Sequence, residues 1–130
     1  MQGRSAWIVH VVDDDAAVLE SLEALLLVAG FEVATYGSAE EFLERAGDRQ
    51  GCLLLDVNMP GMSGLELLER LAAEGAGTPV VLLTASRDER LRQRARALGA
   101  RGFLTKPVTG AVLLAAIADA AAPASGRPAR

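Results

Sequence analysis

Short apolar runs alternate with longer segments of helical period along this chain, and that alternation limits the possible folds more than any other feature. Residues 8–12, 33–36, 52–55, 80–84 and 102–105 are β-branched or leucine-rich and read as strands. The central runs are apolar almost without interruption, as strands buried on both faces of a sheet must be. Between them Val18, Leu19, Leu22, Leu25, Leu26 and Ala29 recur at helical steps, as do Leu65, Leu67, Leu68 and Leu71, and then Val112, Leu113, Ala116 and Ile117. Five βα units with short connections predict an α/β domain, a parallel sheet with helices on both faces.

Helix punctuation agrees with this pattern. Ser38 with Glu41, Ser63 with Glu66, and Ser86 with Glu89 each read as a Ser-x-x-Glu capping box, in which the serine oxygen takes an orphan amide of the first turn. Gly30, Gly75 and Gly99 stand where helices should stop. Residues 1–122 are read as one domain. Residues 123–130 are Pro, Gly, Ala, Ser and Arg and read as a flexible tail or the start of a linker.

Composition excludes several classes. Half of the 130 residues are hydrophobic, which is incompatible with a disordered chain. The net charge of -4 gives no whole-domain basic footprint for nucleic acid. One cysteine, Cys52, cannot form an internal disulfide, so a reducing, cytoplasmic setting is expected. One Cys and one His cannot make a zinc site. The apolar stretch from Ala111 is broken by Asp119 and is too short to span a bilayer, and the N-terminus lacks a signal-peptide pattern. The only lysine among thirteen basic residues is Lys106. In a chain that otherwise uses arginine, a compact ammonium marks a functional candidate.

In an open parallel sheet, function gathers at the carboxyl ends of the strands. Those ends carry Asp13, Asp14 and Asp15, then Asp56, then Thr84, then Lys106 before Pro107. Crowded carboxylates repel one another, and a hard divalent cation such as Mg²⁺ relieves the repulsion through oxygen ligands. Asp56 can act as a nucleophile forming an acyl phosphate, while the Thr84 hydroxyl and the Lys106 ammonium hold phosphoryl oxygens. Structural readings stand beside these. Asp14 or Asp15 could cap the first helix, Asp56 could cap a loop, and Thr84 could simply end a strand. His10 reads as a packed core histidine, and Trp7 and Phe31 as core or rim. All of these readings holding together across the strand ends is the weaker account.

The chain resembles the CheY-like receiver superfamily over about residues 6–122. The resemblance rests on residues 53–64 (Leu-Leu-Leu-Asp-Val-Asn-Met-Pro-Gly-Met-Ser-Gly), with Val12-Asp13-Asp14, Leu83-Thr84-Ala85 and Phe103-Leu104-Thr105-Lys106-Pro107. It implies a flavodoxin-like, doubly wound (βα)5 fold with strand order 2-1-3-4-5. It also implies that Asp56 is the phosphoacceptor of a two-component system, receiving phosphate from a sensor histidine kinase or phosphotransfer protein. Mg²⁺, or Mn²⁺, is then held by Asp14, Asp56 and the Asn58 carbonyl, with Asp13 acting through water. Lys106 pairs with Asp56 and the phosphoryl group, Thr84 is the switch hydroxyl, and Phe103 stands at the switch aromatic position, where many relatives carry Tyr. The Lys106-Pro107 bond is implied to be cis. Such a chain is not an enzyme for a separate substrate but promotes its own phosphorylation and dephosphorylation. Output is implied through the fourth helix, fifth strand and fifth helix, including a phosphorylation-dependent homodimer. Residues 36–43 further resemble the FixJ-type branch, in which receivers precede a DNA-binding domain in phosphorelay and transcription regulation. These residues contain no such domain, so direct nucleic-acid binding is not expected of them.

Three other functions fit less of the pattern. A haloacid-dehalogenase-type phosphatase wants Asp-x-Asp at the nucleophile, and here Asn58 takes the second place. A flavodoxin-like nucleotide binder needs a Gly-rich or Ser/Thr-rich loop after the first strand, where this chain has three acids. A receiver that only docks would not need the full set of acids, hydroxyl and lysine.

Overall fold

The computed structural model describes residues 8–47, 51–75 and 77–121; Trp7 and residues 123–130 lie outside the described residues. Five strands, β1 Ile8–Val12, β2 Glu32–Tyr36, β3 Gly51–Asp56, β4 Val80–Thr84 and β5 Gly102–Thr105, alternate with five helices, α1 Ala16–Val28, α2 Ala39–Arg45, α3 Gly64–Glu74, α4 Glu89–Ala97 and α5 Gly110–Ala121. The sheet is parallel throughout, in the order β2-β1-β3-β4-β5. The flavodoxin-like expectation holds. β2 begins one residue before the apolar run and β3 extends one residue beyond it at each end.

Strand alternation divides the core into two layers. Val12, Leu53, Leu55, Val80 and Leu82 face α2, α3 and α4, packing with Phe42, Leu67, Leu68, Leu71 and Ala95. Val9, Val11, Cys52, Leu54, Val81 and Leu83 face α1 and α5, packing with Leu26, Leu113 and Ile117. His10 is buried, and its Nδ1 lies 3.0 Å from the Tyr36 hydroxyl. Burial pushes the Cys52 thiol up to about 12. At pH 8 only about one Cys52 in ten thousand is then a thiolate. Native protein should therefore leave Ellman's reagent unreacted for hours and react fully once denatured; rapid native labelling would contradict this packing.

Three local readings need correction. The third capping box does not form, because the Ser86 amide is already committed to Thr84 Oγ1 at 3.0 Å and α4 starts only at Glu89. Asp88 caps α4 instead, accepting from the Arg90 amide, while Ser86 Oγ accepts from Asp88. In the first box Ser38 caps α2, but Glu41 reaches back to the amide of Gly37 rather than Ser38. The Ser63–Glu66 box is complete. Val112 is exposed, since Leu113, Ile117 and Ala120 form the stripe that meets the sheet and Val112 lies one position off it.

Candidate functional site

Strand order reverses between β1 and β3, so the crevice at their carboxyl ends is where this architecture holds ligands. The backbone leaving β1 gives each of its three acids a different setting. Asp15 caps α1, accepting the amides of Ala17 and Val18 at 2.9 and 3.4 Å. Asp14 is exposed at the rim of the crevice. Asp13 is turned inward and buried; its Oδ1 accepts the Asp15 amide at 2.9 Å, while its Oδ2 has no hydrogen-bond partner.

Asp56 ends β3 and is 5% exposed. Lys106 Nζ donates to Asp56 Oδ1 at 2.9 Å and lies 3.8 Å from Asp13 Oδ2, an ion-pair distance rather than a hydrogen bond. The Lys106 amide donates to the Thr84 carbonyl at 2.7 Å, and the Lys106-Pro107 bond is cis. Burial pulls the Lys106 ammonium towards neutrality, but the hydrogen bond to Asp56 and the charges of Asp56, Asp13 and Asp14 outweigh it and leave the pKa above its ordinary value. The lysine is therefore a fixed positive charge at neutral pH. Thr84 is fully buried at the end of β4, with its Oγ1 accepting the Ser86 amide. Phe103, half-buried, pairs in register with Leu82, two residues before Thr105 pairs with Thr84.

The loop after β3 is held at both ends. The Val57 amide donates to the Leu83 carbonyl and the Gly64 amide to the Val57 carbonyl, both at 3.0 Å. Asn58 stands exposed two residues past Asp56. Glu40, from α2, accepts the Met62 amide at 3.0 Å and so tethers this loop from another element. Sequence reasoning missed Glu40, since nothing local marks a partner 22 residues away. It also missed Gly64, whose signal was a glycine at the first position of a helix. A Cβ there would lie 2.3 Å from the Asp56 carbonyl oxygen.

Oxygens of Asp13, Asp14 and Asp56 lie within 4.8 Å of one another. Burial above all raises the Asp13 pKa; the charges of Asp56 and Asp14 add to this, against the Asp15 amide and Lys106. Three crowded carboxylates and one orphaned buried oxygen fit a hard divalent cation. Burial makes ionisation of Asp13 unfavourable in the folded chain. Because the folded-state pKa of Asp13 is raised, stability should increase as pH falls from above that value towards the ordinary carboxylate range. Asp13→Asn keeps the Oδ1 acceptor and removes the orphaned charge, so it should stabilise the metal-free chain by about 1 kcal/mol, or roughly 3–5 °C in melting temperature. Calorimetry in EDTA checks this; a melting temperature lowered by the substitution would contradict it.

The family model for the response regulator receiver domain matches residues 9–118. The chain is 49% identical over 112 residues to transcriptional regulatory protein FixJ of Azorhizobium caulinodans, covering 84% of this chain and 52% of that one. It is 40% identical over 114 residues to response regulator protein TmoT of Ectopseudomonas mendocina, covering 87% and 52%. The chain thus spans about half the length of the curated relatives it matches. The crystal structure of FixJ-N superposes with a TM-score of 0.83 at 38% identity, covering 93% of this chain and 95% of that one. The structure of response regulator StyR gives 0.82 at 49% identity, covering 88% and 58%. Among the described residues no helix is long and apolar enough to cross a membrane. With its fold, its acidic crevice and these relatives in agreement, the chain belongs to the response regulator receiver domain family and is a receiver of the FixJ type.

Proposed function

We propose that this domain accepts a phosphoryl group on Asp56 from a sensor histidine kinase or phosphotransfer protein, and that the acyl phosphate switches a partner-binding face. The observation that carries the reading is the Lys106 ammonium hydrogen-bonded to a buried Asp56 while the buried Asp13 Oδ2 beside it accepts no hydrogen bond. Asp14, Asp56 and the Asn58 carbonyl would hold Mg²⁺ or Mn²⁺, with Asp13 acting through water. When bound, the cation neutralises the phosphoryl oxygens and offsets the repulsion among the acids.

The rest of the chemistry belongs to the chain. An Asp56 carboxylate oxygen attacks phosphorus, an oxygen–phosphorus bond forms, and the bond to the donor nitrogen or oxygen breaks with its electron pair leaving on the donor. Lys106 stays protonated and presents its charge to the incoming phosphoryl oxygens. The apolar groove beside Lys106, lined by Val18, Leu22, Leu83, Pro107 and Val108, offers the donor a seat next to the nucleophile. A phosphoryl oxygen on Asp56 draws the Thr84 hydroxyl towards it, and Phe103 turns into the space released. The same residues hydrolyse the acyl phosphate when water takes the donor's place.

Acetyl phosphate and Mg²⁺ supply the test. The isolated chain should take up about one phosphate, labile to hydroxylamine, and none in EDTA. Absence of uptake with Mg²⁺ from both acetyl phosphate and phosphoramidate would overturn the proposal.

A further inference from the structure

We infer that Glu40 is a positioning residue that sets how tightly the crevice holds its divalent cation, an inference that rests on the phosphoacceptor reading above. Residues 36–43 mostly have tasks within or beside their own helix. Ser38 caps α2 by accepting the Glu41 amide at 3.0 Å, and Ala39 and Phe42 are buried. Glu41 accepts from the Gly37 amide at 2.9 Å and pairs with Arg45 at 2.6 Å. Glu40, exposed on the first turn, reaches out of its element instead, and its Oε2 accepts the Met62 amide at 3.0 Å. A Cβ on Gly61 would lie 3.0 Å from the same oxygen, so the carboxylate packs against the turn as well as accepting a bond from it. Only a glycine at position 61 allows so close an approach without displacing the carboxylate.

The place of this contact gives it its role. The loop after β3 is closed at its neck, where the Gly64 amide donates to the Val57 carbonyl at 3.0 Å. The neck is fixed to β4 by the Val57 amide and the Leu83 carbonyl, but that bond does not restrain the excursion beyond it. Residues 58–63 form the excursion, and its backbone includes the Asn58 carbonyl. Glu40 pins its far side, at Met62, from α2. A small hard cation demands near-ideal placement of its oxygens. Where the arrangement that provides this is only a fraction of the population, the apparent affinity falls by that fraction. Pinning the loop before the cation arrives raises the fraction. A carboxylate suits the task, because a charged acceptor holds an amide more strongly than a neutral one. Its charge also attracts a cation from a distance, but at an exposed position salt screens that attraction. Substitution separates the two contributions.

Mn²⁺ titrated into the full chain, followed by the paramagnetic resonance signal of the free ion, measures affinity without any phosphodonor. Glu40→Ala removes the acceptor while leaving a good helix former on α2, and should weaken Mn²⁺ binding about three- to tenfold. Glu40→Gln keeps an oxygen at the same reach and should stay within about twofold of the unsubstituted chain. Glu44→Ala removes an exposed charge from the same helix and should leave the affinity unchanged. Phosphate uptake from acetyl phosphate should show a matching split. The Mg²⁺ concentration for half-maximal uptake should rise in Glu40→Ala, while the rate at saturating Mg²⁺ stays near that of the unsubstituted chain. A merely structural role would lower the melting temperature and leave that concentration unmoved. Equal Mn²⁺ affinity in Glu40→Ala and the unsubstituted chain overturns the inference alone. So does equal weakening by Glu40→Gln and Glu40→Ala, which would reduce Glu40 to a distant charge. An unsubstituted chain that binds no Mn²⁺ overturns the phosphoacceptor reading and this inference with it.

Discussion

Phosphate incorporation from acetyl phosphate is expected to fall to background in Asp56→Asn. The substitution is nearly isosteric, and Asp56 is 5% exposed at the end of β3, so packing changes little. The amide keeps an oxygen that accepts from Lys106, replacing the 2.9 Å charged bond with a weaker neutral one. An amide oxygen carries no full negative charge, and its nitrogen lone pair is delocalised, so neither atom attacks phosphorus usefully. The side chain also loses one anionic oxygen from a cluster that fits a divalent cation. Loss should therefore exceed about a hundredfold, the scale on which a missing nucleophile is read. Intact-protein mass spectrometry with Mg²⁺ measures it directly. Stoichiometric, hydroxylamine-labile labelling of the variant would move the nucleophile to Asp13 or Asp14.

Gly64→Ala is expected to cost about 3 kcal/mol of stability and to slow phosphorylation in the fraction that remains folded. Gly64 opens α3, its amide donating to the Val57 carbonyl at 3.0 Å. An added Cβ would lie 2.3 Å from the Asp56 carbonyl oxygen and 2.8 Å from Val57 Cα. Both obstacles are backbone, so no side-chain rotation relieves the clash. Either α3 moves out of its layer or the end of β3 moves, and the latter displaces the Asp56 carboxylate from Lys106. Gly37→Ala is the control: its Cβ would meet only Glu41 Oε1, at 3.5 Å, an ordinary contact. Urea denaturation of both variants separates the cases. Equal stabilities would show that α3 is not pressed against the strand that carries Asp56.

Much of this protein was determined by its sequence alone, wherever the governing physics is local. Apolar runs such as residues 80–83 become strands because burial on both faces leaves no polar position, and that pattern needs no knowledge of neighbours. Gly30 and Gly99 end α1 and α4 with φ of 99° and 101°, a conformation that side chains disfavour. The lone lysine stood out because the rest of the chain uses arginine. Parallel strands then bring every strand end to one edge, so Asp13, Asp56, Thr84 and Lys106 could be nominated before any contact was known.

Tertiary structure decided how those groups divide the work. Three consecutive acids are equivalent in sequence, yet the exit of the chain from β1 buries Asp13, leaves Asp14 exposed and commits Asp15 to the cap of α1. Ser86 looked like a helix cap until the end of β4 claimed its amide for Thr84, a contact set by where the strand stops. The Glu40 tether and the bond from Lys106 to Asp56 join residues 22 and 50 positions apart. Five arginines at residues 87–96 likewise look alike until packing pairs Arg94 with Glu69 of α3. Side-chain roles at a site depend on distances between elements, and those distances exist only once the sheet has assembled and its helices have packed on both faces.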